Sequence, residues 1–83
     1  MSKIILKNVG RGKVNRTIEV KNPIVDGKPE FDEEHLAMIA YKEVNKHLAS
    51  RAVDLDPDED KGAGFWKVYV GLGIHVGDVQ III

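Results

Sequence analysis

Read as a pattern of apolar and polar positions, the chain predicts strands on either side of one helix. Ile4, Ile5 and Leu6 sit between Lys3 and Lys7, the composition of a strand of about five to seven residues, with Ile4 and Leu6 on one face and Ile5 on the other. From Val14 the alternation is regular. Val14, Ile18 and Val20 share a side with Arg16, and Asn15, Thr17, Glu19 and Lys21 take the other, as in a strand buried on one face. Gly10-Arg11-Gly12-Lys13 supplies the reversal between these two strands. Asn22-Pro23 ends the second strand, and the Asp26-Gly27 pair suits a tight turn in the connection to the helix.

The period then changes to three and four. Leu36, Ile39, Ala40, Val44 and Leu48 form a stripe widened by Ala37 and Tyr41, which predicts an amphipathic helix from Glu33 to Ser50 or Val53. Asp32 is its N-cap, and Glu33 and Glu34 complement the dipole in its first turn. The run from Asp54 to Gly64 is acidic and rich in helix and strand breakers, so an exposed loop is expected there. Beyond it Trp66, Val68 and Val70 alternate with Lys67 and Tyr69. Gly71-Leu72-Gly73 is the expected reversal, and Ile74 and Val76 resume the alternation. The apolar parity shifts at Gly77-Asp78, because Val79, Ile81 and Ile83 are odd-numbered; either a bulge lies there or the turn does. Ile81-Ile82-Ile83 is apolar on both faces, which requires a central, covered or self-associating strand.

The element order predicted is β-β-α-β-β: an α+β fold with a small four-stranded, mainly antiparallel sheet and one helix on one face. Residues 1–83 form a single compact domain with an acidic loop at about 54–64. One helix covers one sheet face, so Ile5, Tyr69 and one or two of the C-terminal isoleucines are left on the other, where a partner or a second copy would bind.

Composition narrows the function. Apolar residues at 43% and charged residues at 30% describe a folded chain, and the lack of cysteine excludes disulfides and thiolate metal sites. The segment 62–83 is broken by Lys67, His75, Asp78 and Gln80, so no membrane span is expected, and the N-terminus reads as a strand, which makes a cytoplasmic location the default. The net charge of -1 conceals a strong asymmetry. Residues 1–28 hold seven bases against two acids, and residues 29–60 hold ten acids against three bases. Such a dipole steers charged partners if folding keeps the blocks apart.

Candidate chemistry is sparse. Asp54, Asp56 and Asp58 alternate as at the start of a calcium loop, but Glu59 replaces the turn glycine and Phe65 the bidentate glutamate, so no metal is expected. His35, His47 and His75 have no metal-pair spacing. Ser2 and Ser50 have no recognisable base beside them, and no catalytic residue or cofactor is assigned. The leading expectation is a non-enzymatic protein-binding module, an inhibitor or accessory protein. In it Asp54, Asp56, Asp58, Glu59 and Asp60 steer a partner with a basic surface and Tyr69 supplies contact area. One alternative is nucleic-acid binding through Lys7, Arg11, Lys13 and Arg16. Another is a homodimer or larger homo-oligomer joined through the C-terminal strands.

Overall fold

The computed structural model describes residues 1–49 and 52–83. Along the chain it forms β1 (Ser2–Val9), β2 (Val14–Val20), β3 (Ile24–Val25), β4 (Lys28–Pro29), α1 (Glu33–Asn45), β5 (Val53–Pro57), β6 (Phe65–Val70) and β7 (Ile74–Ile82). The fold is α+β, and its strand pairs are antiparallel. Five strands make one sheet in the order β2-β1-β7-β6-β5, and β3 and β4 form a separate ribbon.

The expected four-stranded sheet in β-β-α-β-β order is therefore corrected. Strands β3 and β4 intervene before the helix, and β5 joins the sheet immediately after it. The cause is clearest at β5. Val53 and Leu55 face the core while Asp54 and Asp56 face solvent, an alternation of period two inside a stretch whose acids and proline suggest a loop. An edge strand tolerates both features, because one face is solvated and one row of backbone groups needs no neighbour. The ribbon is held by Asp26 and Gly27, both at positive φ as a two-residue hairpin turn requires.

The helix is shorter than its apolar stripe. It starts at the Asp32 cap, whose carboxylate accepts from the His35 N–H at 2.9 Å. It closes where Lys46 and His47 donate to the carbonyls of Glu43 and Val44, three residues back, tightening the last turn. Leu48 still packs on the core, so its periodicity outlasts the helix. Of the expected end points, Ser50 lies outside the described residues and Val53 belongs to β5.

The core is one layer between α1 and the sheet. Ile4, Leu6 and Val9 of β1, Val68 of β6, and Val79 and Ile81 of β7 meet Leu36, Ala37, Ala40 and Val44 of the helix, all buried. β7 is central, between β1 and β6, and Gly71–Gly73 is the reversal before it. The parity shift is a bulge: Val68 faces Gly77 and Tyr69 faces His75, so Val76 is the extra residue without a counterpart on β6, and its carbonyl accepts instead from the Gly10 N–H at 2.9 Å. A Cβ on Gly77 would lie 2.8 Å from the Val9 Cα, so this bend needs a residue without a side chain.

Candidate functional site

The sheet face away from α1 is open, and the strand registers fix what lies on it. Asp56 of β5 stands opposite Lys67 of β6, Lys67 opposite Asp78 of β7, and Asp78 opposite Lys7 of β1, a row of alternating sign across four strands. The next row is Phe65, Gln80, Ile5 and Thr17, and on the other side Asp54, Tyr69 and His75 line up. Opposite charges on neighbouring strands support the sheet and keep the face solvated. The expected apolar face is thus mostly polar. Ile5, Tyr69 and, of the C-terminal isoleucines, Ile82 are on it as expected, joined by Phe65, whereas Ile81 is in the core.

Most of these charges are already engaged. Lys7 Nζ donates to Gln80 Oε1 at 2.9 Å and lies 5.7 Å from the Phe65 ring centre. Lys67 Nζ turns to Asp58 at 3.9 Å, and His75 Nε2 lies 3.0 Å from Asp78 Oδ1. Tyr69 and His75 rings are 5.6 Å apart. Asp54 and Asp56 differ: both are exposed, and among the described residues neither joins an ion pair.

The remaining acids divide by role. Asp58 is 4% exposed; its carbonyl accepts from the Lys61 and Gly62 N–H groups and its carboxylate from Lys61 N–H, which builds the turn into β6. Glu59 and Asp60 are exposed on that turn. Between α1 and β5 runs a groove of about 330 Å³ lined by Ala37, Met38, Tyr41, Leu55 and Trp66, with the carboxylate residues Glu34 and Asp54 beside them. Trp66 packs against the core, yet its Nε1 is buried without a hydrogen-bond partner among the described residues. Neither Met38 nor the groove is signalled by periodicity, because only the position of β5 turns that helix edge into a concave surface.

The four candidate nucleic-acid residues are not brought to one place. Lys7 is on the open face, while Arg16 is on the helix side with its guanidinium 3.3 Å from Glu43 Oε1. Arg11 and Lys13 remain at the hairpin tip, lining a hollow of about 500 Å³ with Asn8, His75 and Asp78. Glu43 also receives Lys46 at 3.0 Å and has His47 Nε2 at 3.8 Å, and its side chain is 13% exposed. The Lys46 hydrogen bond, followed by the charges of Lys46, Arg16 and His47, holds the Glu43 carboxyl below the usual glutamate range against the opposing effect of burial. Asp32 is likewise lowered, first by the His35 backbone N–H and then by the His35 side chain.

His35, His47 and His75 each lie beside one carboxylate, in three separate places. Among the described residues no group of three His, Cys, Asp or Glu side chains could hold a metal ion. No helix among them is long and apolar enough to cross a membrane. Comparison with protein-family models, curated proteins and solved structures finds no match in any of the three.

Proposed function

We propose that this chain is a non-enzymatic protein-binding module that engages a basic surface of its partner through the β5 edge and the adjoining part of the open sheet face. The observation that carries this reading is the contrast between the engaged charges of the inner strands and Asp54 and Asp56 at the sheet edge, which are unpaired among the described residues. Unpaired carboxylates lose no existing partner on binding, so their attraction to a cation is opposed mainly by desolvation. Glu59 and Asp60 extend the negative potential along the next turn and steer approach. Tyr69, directly opposite Asp54, supplies contact area next to the charges. Asp58 acts from behind by shaping the turn. A module of this kind serves as an inhibitor or accessory protein by covering a partner's basic groove.

Amide-shift mapping with a blocked oligoarginine peptide and, separately, a short DNA duplex tests the reading. The peptide is expected to shift residues 53–60 and Tyr69, with affinity falling as salt rises and lost on Asp54→Lys/Asp56→Lys. Shifts from DNA at Arg11 and Lys13, with no response to the peptide, would overturn it in favour of the nucleic-acid reading that the basic hollow at the hairpin tip keeps open.

A further inference from the structure

Among the described residues, β5 closes the sheet order and pairs with β6 on one side only. The ladder fixes which backbone groups point outward. Asp58 N–H donates to the Phe65 carbonyl at 2.7 Å, and Gly71 N–H donates to the Ala52 carbonyl at 2.9 Å. Hydrogen-bonded pairs therefore fall on the even-numbered residues of this strand, so Asp54 and Asp56 bond towards β6. Val53 and Leu55 turn their N–H and C=O groups away from the sheet. Pro57, with no N–H, sits at an outward position where the ladder to β6 loses no donor.

Side chains on the same strand alternate between two chemically different faces. Leu55 is on the helix side, at the groove with Met38, Tyr41 and Trp66; Asp54 and Asp56 alternate with it towards the open face, with Asp54 also at the rim of that groove. A second copy pairing antiparallel through β5, centred on Leu55, sets Asp54 of each chain against Asp56 of the other. Like charges directly opposite destabilise such a pair. A strand with Lys or Arg opposite Asp54 and Asp56, and an apolar residue opposite Leu55, satisfies both faces at once.

We infer that β5 accepts an extended segment of a partner protein, alternating cationic and apolar residues, as an added antiparallel strand. This rests on the acidic-surface reading and specifies how the partner is held: main-chain hydrogen bonds to Val53 and Leu55 give affinity, and the two rows of side chains select the sequence. The carboxylates then have two effects, repelling a like copy and attracting a basic strand.

The test uses a blocked peptide of about nine residues in which arginine alternates with valine, enough to span β5. A second peptide is the same but N-methylated on the valines, which face Val53 and Leu55; its charge is unchanged. The first peptide is expected to bind, to slow amide exchange at Val53 and Leu55 by at least about tenfold, and to lose about tenfold or more in affinity when N-methylated. Asp54→Lys/Asp56→Lys, both at exposed positions and checked for folding by its amide spectrum, is expected to bind neither peptide. Binding that is weakened by the lysines but indifferent to N-methylation overturns strand addition and leaves the acidic surface standing. Binding indifferent to the lysines, or no binding of either peptide, overturns both.

Discussion

Glu43 shows how a single side chain ties three elements together. Its carboxylate, on the last turn of α1, meets Arg16 of β2 and the Lys46 and His47 that succeed the helix. Because its folded-state pKa is below the ordinary value of 4.5, the stability it contributes is present above that value and is lost as pH falls through the folded pKa. Denaturant titrations from neutral to acid pH should therefore show a decline in the wild type that is shallower in Glu43→Gln. At neutral pH the substitution should cost about 1 kcal/mol, since Arg16 and Lys46 are largely solvated and each such pair is worth little by itself. Equal acid sensitivity of the two proteins would remove Glu43 from this role. Asn22 is a comparable clamp: its amide donates to Ser2 Oγ and the Phe31 carbonyl and accepts from the Phe31 N–H, tying the β3–β4 ribbon and the approach to α1 onto the start of β1. Asn22→Ala leaves buried groups without partners, and thermal unfolding should register a loss of roughly 1–3 kcal/mol. Neither residue stands out in the sequence, since polar residues declare their importance only through distant partners.

Among the elements, the bulge in β7 carries the sharpest prediction. Alanine at Gly77 puts its Cβ 2.8 Å from the Val9 Cα and 2.9 Å from its Cγ2, so the two central strands must separate. Gly77→Ala should be destabilised by roughly 1–3 kcal/mol in equilibrium unfolding, and an unchanged midpoint would mean that β1 and β7 are not this close. The parity break at Gly77-Asp78 is visible in the sequence, and the register decides that it is a bulge rather than the turn. The faces of β1 and β2 are equally legible, because Ile4 and Leu6 against Ile5 obey the period-two rule in isolation. β5 is not. Its two inward residues, Val53 and Leu55, are too few for a period, and the surrounding acids and Pro57 resemble a loop until β6 is there to receive it. The same ambiguity hides the groove beside Met38 and the distinction between Asp58, which is structural, and Asp54 and Asp56, which are exposed.

For the molecule as a whole, the division of labour follows from its coverage. One helix and the five-stranded sheet enclose a single apolar layer, the inner strands of the open face engage their charges with one another or with the adjoining turn, and the C-terminal strand is protected at the centre of the sheet. The asymmetry of bases and acids along the chain is only partly preserved in space: Arg16 pairs with Glu43, while the β5 carboxylates stay apart from the basic hairpin. What remains available is an acidic edge with outward-facing backbone groups. Amide hydrogen exchange on the free protein reads that edge residue by residue. Asp54 and Asp56, bonded towards β6, should exchange slowly, and Val53 and Leu55, directed outward, should exchange faster than either by about tenfold or more. If all four amides were equally protected, with Leu55 as slow as the core residue Val68, the β5 edge would already be occupied and could not be the surface that receives a partner.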